Sequence, residues 1–149
     1  MRIVVVGANG KLGQEVVARA LATGHEVTAL VRRQGELPSR STLSIVLGDV
    51  VRDPERVRDT VRGHDAVVSA LGNPLWIAGR RGPAVMAPAL SSVVAATQAG
   101  GGRRLAVPLS WGSVASRRVA SPFVRALAAT LIRRDFADFS RAEELVVQS

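Results

Sequence analysis

The sequence predicts an α/β protein: a doubly wound parallel sheet of about five strands in the order 3-2-1-4-5, with helices on both faces. Three observations predict it. Short Val-rich apolar runs alternate along the chain with stretches whose apolar residues recur at helical spacing, and such alternation implies βαβ units with right-handed crossovers. Apolar residues make up 47% of the chain and aromatics only 3%, with Val and Ala dominant, which suits strands buried on both faces under Ala-rich helices. The 149 residues suffice for one substantial core and are too few for two ordinary ones, so a single domain over 1–149 is expected.

Each element carries its own signal. Arg2–Val6 is a continuous apolar run and reads as the first strand. Glycines follow it, then "KLGQEVVARALATG", apolar at helical spacing with Gly24 as its stop. Glu26–Val31 is the second strand, "RRQGELPSRST" a polar loop, and Leu43–Leu47 the third strand, ending in Gly48 and Asp49. "DPERVRDTVRG" is a short helix with Asp53 as N-cap, Pro54 at its first position and Gly63 as terminator. Residues 66–70 form the fourth strand, residues 84–99 a long helix after a Gly/Pro-rich loop, and residues 105–109 the fifth strand. Pro108 inside that last run implies an edge position or an early end to its ladder. A Ser/Gly-rich loop then leads to a helical tail of two helices or one bent one.

The composition excludes several classes. There is no cysteine, and His25 and His64 are the two histidines, so disulfides and thiolate metal sites are ruled out and no metal site is expected. No apolar run is long enough to span a bilayer, and a cytoplasmic protein without membrane partners is the default expectation. The net charge of +8 comes from 20 basic residues, of which Lys11 is the single lysine. The arginine pairs 32/33, 80/81, 103/104, 117/118 and 133/134 are spread along the chain, with only Trp76 and Trp111 able to stack, so no nucleic-acid partner is expected.

In a doubly wound sheet, ligands sit at the carboxyl ends of the strands. After the first strand stands "GANGKLG": Gly7, Ala8, Asn9, Gly10, Lys11, Leu12 and Gly13. Directly between a strand and a helix, this loop presents backbone N–H groups and a helix N-terminus to a pyrophosphate. Gly7 permits the tight turn, Gly10 the approach of the phosphates and Gly13 the close lie of helix on strand. Lys11 is not part of a "GK[ST]" sequence, so a P-loop fits poorly. After the second strand stand Arg32 and Arg33, where an NAD-binding protein normally presents an acid to the ribose. They favour a 2′-phosphate, and therefore NADP(H), or else form a solvated basic turn. After the third strand, Asp49 either accepts from an adenine amino group, with Val50 beside the ring, or serves as a turn acid. After the fourth, Ala70, Leu71 and Gly72 let a cofactor pass close to the backbone, and Asn73 either hydrogen-bonds nearby or shapes the Asn-Pro turn.

Together "GANGKLG", "LVRR", "GDV", "DAVVSALG" and "RRDFADFSRAEELV" resemble the atypical short-chain dehydrogenase/reductases with an NAD(P)H-binding (NmrA-like) domain, a Rossmann-like group that includes biliverdin reductase B and flavin reductase-like proteins. The resemblance implies NADP(H) as cofactor, the glycines and Arg32 on its phosphates, Asp49 and Val50 at adenine, and Ser110 near the nicotinamide as the catalytic-site residue. It implies either a flavin, quinone or biliverdin-type reductase or a redox-sensing regulator that binds the dinucleotide without turnover. Family members continue past "AEELV" into another core strand and a segment that helps enclose the substrate, so this chain is expected to lack part of the acceptor pocket. The sheet edge this leaves exposed needs covering, which is an argument for a homodimer, with a partner subunit completing the pocket.

The ordinary short-chain dehydrogenase protonates its substrate with a Tyr activated by a Lys. This chain has no Tyr, and its one Lys lies in the glycine loop. His25 and His64 precede the second and fourth strands, at the amino ends of the sheet, and read as surface or turn histidines. The expected acceptors are therefore flat ring systems that take a hydride and draw their proton from water, such as flavins, quinones or tetrapyrroles. Trp76 and Trp111 either stack on such a ring or anchor their loops.

Overall fold

The computed structural model of the chain describes residues 1–72, 85–100, 104–108, 121 and 133–148, the last with side chains from 137 onward. Five strands, β1 (Arg2–Val6), β2 (Glu26–Val31), β3 (Leu43–Leu47), β4 (Ala66–Ser69) and β5 (Leu105–Ala106), pair in the order β3-β2-β1-β4-β5. Every pairing is parallel, with Val5 opposite Ala29 on one side and Val68 on the other. The predicted order is the observed one.

β1 is central, and Val4, Val5 and Val6 are fully buried. A strand sends successive side chains to opposite faces, so each face of the sheet needs its own cover. On one face Val5, Val27, Ala29 and Val31 pack with Val17 and Ala20 of helix α1 (Lys11–Ala22). On the other lies Leu30, close to Gly48 and, through it, to Arg56 of helix α2 (Pro54–Val61). Val57 and Val61 of α2 are buried. Each such fully buried Val or Leu contributes about 1.5–3 kcal/mol relative to leaving it in water.

Helix ends follow the sequence signals. α1 ends at Thr23, with Gly24 at φ +78°, and α2 is followed by Gly63 at φ +76°, conformations that glycine adopts without a Cβ penalty. Asp53 Oδ1 accepts from the Arg56 N–H at 3.1 Å, capping α2 as predicted. Helix α3 (Met86–Ala99) starts two residues later than residue 84. β4 ends one residue early, although the Ala70 N–H still donates to the Val6 carbonyl at 2.8 Å. β5 stops at Ala106, the early end implied by Pro108, which has no N–H for the ladder.

His64, in the turn before β4, is half-buried, and its Nε2 lies 2.9 Å from Thr28 Oγ1 in the middle of β2. A turn residue at the foot of β4 thus reaches across the base of the sheet.

The chain packs as two compact units, Met1–Leu71 with Ser92–Pro108, and Gly72–Ser91 with Leu109–Ser149. In the first lie the sheet, α1, α2 and the end of α3. In the second, helix α4 (Arg133–Val147) supplies Asp138, whose carboxylate accepts from the N–H groups of Met86 and Ala87 at 2.8 and 3.1 Å. α3 is therefore capped by a buried side chain about fifty residues away in sequence. No described helix is long and apolar enough to cross a membrane, and no cluster of described residues could hold a metal ion.

Candidate functional site

Within the first unit, the turns that follow β1 to β4 are linked to one another at the carboxyl ends of the strands. The Gly7 N–H donates to the Leu30 carbonyl at 3.1 Å, and the Gly48 N–H to the Val31 carbonyl at 2.9 Å. A Cβ on Gly7 would lie 3.1 Å from both the Ala70 carbonyl oxygen and Leu71 Cδ2, so the glycine loop runs hard against the turn after β4. Asn9 Nδ2 donates to the Arg33 carbonyl at 2.7 Å. The charge of Arg32 in turn acts on Asp49. Gly72 follows Leu71 in the chain and is exposed.

The three loop glycines are glycines for different reasons. Gly7 has φ +80°, a left-handed conformation costly for other residues. At Gly13 an added Cβ would overlap the Gly7 carbonyl oxygen and the Ala8 backbone, because α1 lies directly on the loop. Gly10 has neither constraint. Its backbone is extended (φ −73°, ψ 160°), and among the described residues an added Cβ would meet only the Gly7 oxygen, at an ordinary 3.5 Å. The described residues leave room for a side chain there, which is the fit expected if a ligand occupies that room.

The start of α1 supports the same reading. α2 and α3 each receive a carboxylate at their N-termini, from Asp53 and Asp138. Among the described residues α1 receives no side-chain cap, and it has no acid in its first turn, where Lys11 stands instead. A cation at the positive end of a helix is unfavourable on its own, and an anion there is favourable. Lys11, Arg32 and Arg33 are exposed, and none is in an ion pair among the described residues. Leu12, next to Lys11 in the chain, is exposed to 48%, unusual for a leucine. The residues present fit a dinucleotide: N–H groups and a helix terminus for a pyrophosphate, and cations for a further phosphate.

Asp49 has a local task. Its Oδ1 accepts from the N–H groups of Val51 at 2.9 Å and Arg52 at 3.1 Å, holding the turn between β3 and α2. The Val51 N–H lowers its pKa most. Partial desolvation opposes this, and the Arg52 N–H and the charges of Arg52 and Arg32 lower it further. Of the two alternatives left open by the sequence, the turn acid is thus present, with Oδ2 outside those two bonds. Val50 beside it is buried.

Ser110, Asn73, Trp76 and Trp111 lie outside the described residues. Two participants escaped the sequence reading. Gly35, read only as part of a polar loop, packs so closely on Asn9 that a Cβ there would overlap the Asn9 side chain. Gln14 Nε2 donates to the Asn9 carbonyl at 3.3 Å. A glycine within two residues of the arginine pair was the one available signal.

The Bacillus subtilis (strain 168) protein YwnB is 38% identical over 72 residues, 48% of this chain and 32% of its own. A Lactococcus lactis oxidoreductase, ylbE, superposes with a TM-score of 0.73 over 99% of this chain and 63% of its own, at 18% identity, and so shares the fold. A Streptococcus pneumoniae protein described as an NADH-flavin reductase is 31% identical, with a TM-score of 0.57 over 76% of this chain and 49% of its own. The chain thus spans less than two thirds of the length of each of these proteins. The pattern that defines the NAD(P)H-binding proteins matches residues 7–149. With the glycine loop, the uncapped helix and the strand order all in place, the chain belongs to the NAD(P)H-binding family.

Proposed function

We propose that the protein is an NADPH-dependent oxidoreductase that passes a hydride to a flavin-, quinone- or tetrapyrrole-like acceptor. The observation that carries the cofactor choice is that Lys11 at the start of α1 and Arg32 and Arg33 directly after β2 are all exposed and outside any described ion pair. In this reading the glycine loop and the N–H groups at the start of α1 hold the pyrophosphate, the Gly7 and Gly10 N–H groups being taken by the Leu30 and Gly7 carbonyls, and Lys11 adds charge beside it. Arg32 and Arg33 grip the 2′-phosphate, for which planar guanidinium donors are suited. Asp49, Val50 and Leu12 border the adenosine end, and Ala70, Leu71 and Gly72 line the path toward the nicotinamide, with Ser110 as its hydrogen-bonding neighbour. When bound, NADPH supplies the hydride.

The acceptor class follows from what the chain lacks. With no tyrosine, and with its one lysine in the glycine loop, the usual Tyr/Lys pair is not available to protonate a ketone. An acceptor that takes its proton from water suits such a site, and the name of the 31% identical Streptococcus protein points the same way for a flavin. That name specifies NADH, so the preference for NADPH rests on the arginines of this chain alone. We assign the protein to the cytoplasm and its assembly to a homodimer in the same reading, with no nucleic acid or membrane as partner.

The same missing acid favours a second reading, a non-catalytic NADP(H)-binding regulatory protein. Turnover separates the two. NADPH oxidation, followed at its near-ultraviolet band with FMN and with a soluble quinone, supports the reductase; tight NADPH binding with neither acceptor reduced supports the regulator. For the cofactor, Arg32→Ala is expected to weaken NADP+ by about tenfold or more, as loss of a charge-assisted contact does, and NAD+ far less. Equal losses for the two would refute the 2′-phosphate role.

A further inference from the structure

The end of β2 is tied to the glycine loop by one side chain. Asn9 Nδ2 donates to the Arg33 carbonyl at 2.7 Å, while the Asn9 carbonyl accepts from Gln14 Nε2 and so joins the same residue to α1. Arg33 offers a carbonyl here, so the NH2 end of the Asn9 amide must face it. Oδ1 is then left buried, with no hydrogen-bond partner among the described residues. It lies against Gly35, where a Cβ would overlap Oδ1, Cγ and Nδ2 together. Gly35 is not in the left-handed region, so its closeness to Asn9, and not its backbone conformation, is what calls for glycine there.

A buried acceptor without a donor is uncommon and unfavourable. Asn9 keeps this pose because the Arg33 bond on one side and the Gly35 backbone on the other fix the amide, and the effect is to lock residues 33–35 onto the glycine loop. A ligand with a pyrophosphate at that loop and a third phosphate at the arginines needs both anion sites at a set separation, and a rigid tie supplies it before binding.

We propose that Asn9 is a positioning residue for cofactor choice: its bond to the Arg33 carbonyl, closed from behind by Gly35, places Arg32 and Arg33 for a 2′-phosphate and so sets the preference for NADP(H) over NAD(H). The proposal rests on the NADPH reading above, and its test separates the two. Dissociation constants for NADP+ and NAD+ are measured by titration calorimetry, with adenosine 2′,5′-bisphosphate and AMP as fragments that lack the nicotinamide half.

Asn9→Ala, which removes the donor, and Gly35→Ala, which pushes the amide off Arg33 from the other side, are each expected to lower the NADP+/NAD+ affinity ratio by about tenfold, and the ratio for the two fragments likewise. Asn9→Asp, the same shape with a negative charge and no donor, weakens both nucleotides and lowers the ratio at least as far as Asn9→Ala. In an Arg32→Ala/Arg33→Ala background the further change Asn9→Ala leaves the ratio where it stands, because Asn9 acts through the arginines. An equal loss for both nucleotides, or an unchanged ratio in all three variants, overturns the proposal while leaving the NADPH reading intact. A wild-type protein with no preference for NADP+ overturns that reading first, and the proposal with it.

Discussion

Gly10 and Gly13 stand three residues apart and predict opposite outcomes. A Cβ at Gly13 would enter the Gly7 carbonyl and the Ala8 backbone, whereas one at Gly10 would meet nothing closer than 3.5 Å. Gly13→Val is therefore expected to destabilise the fold by about 3 kcal/mol, at the upper end for overpacking, since backbone cannot move aside as a side chain can. Gly10→Val should melt within a degree or two of wild type and yet lose at least about tenfold in dinucleotide affinity. Thermal melts and calorimetry on the two variants check this, and unchanged affinity in Gly10→Val would show that the loop holds no phosphate. Asp49 gives a pH prediction. Its folded pKa lies below the ordinary aspartate value because backbone N–H groups and the nearby arginines favour the charged form. Its stabilising contribution is thus complete above that ordinary value and is lost as pH falls through it toward the lowered folded one. Asp49→Ala should cost about 1 kcal/mol at pH 7, and the gap to wild type in melting temperature should close in acid; a gap that is the same at both ends of the pH range refutes the assignment. The sequence showed which residue types stand after each strand. That Asp49 is engaged with Val51 and Arg52, and that Asn9 is engaged with Arg33, followed only from the folded structure, because either side chain has several partners of equal chemistry within reach in an extended chain.

Among elements, the helices divide by how their N-termini are satisfied. The cap of α2 was legible, since Asp53 and Pro54 are adjacent to the turn they serve. The cap of α3 was not: Asp138 comes from α4, and no local pattern relates it to Met86. Asp138 is 7% exposed and satisfies two N–H groups of the first turn of α3. Asp138→Ala is expected to cost about 1–2 kcal/mol, a drop of roughly 2–8 °C in melting temperature, whereas Asp138→Asn, which keeps one acceptor, should lose less. A melt of Asp138→Ala that matches wild type would show that the cap contributes nothing. The strands were legible almost to the residue, because Val-rich runs bounded by glycine and polar turns have a single reading at this length. β5 is the exception: its apolar run continues past Ala106, but ladder pairing ends there, next to a proline that cannot donate.

For the whole molecule, ligand linkage provides the global test. At a hundredfold excess over its dissociation constant, a dinucleotide that binds only the folded chain adds about 2.7 kcal/mol of stability. NADP+ should therefore raise the melting temperature more than NAD+ at the same concentration, and added salt should narrow that difference, because the proposed preference rests on exposed cations. A larger shift with NAD+ would reverse the cofactor assignment. By itself the sequence determined the sheet order, the position of the glycine loop and the basic end of β2, since all three depend on local periodicity and on topological rules that hold for almost any βαβ chain. Only the tertiary structure decided which glycine leaves room for a ligand, which helix goes without a carboxylate cap among the described residues, and which amide ties the arginines to the loop. Those are contacts between segments distant in sequence, and their geometry is set by how the elements pack, which no local pattern encodes.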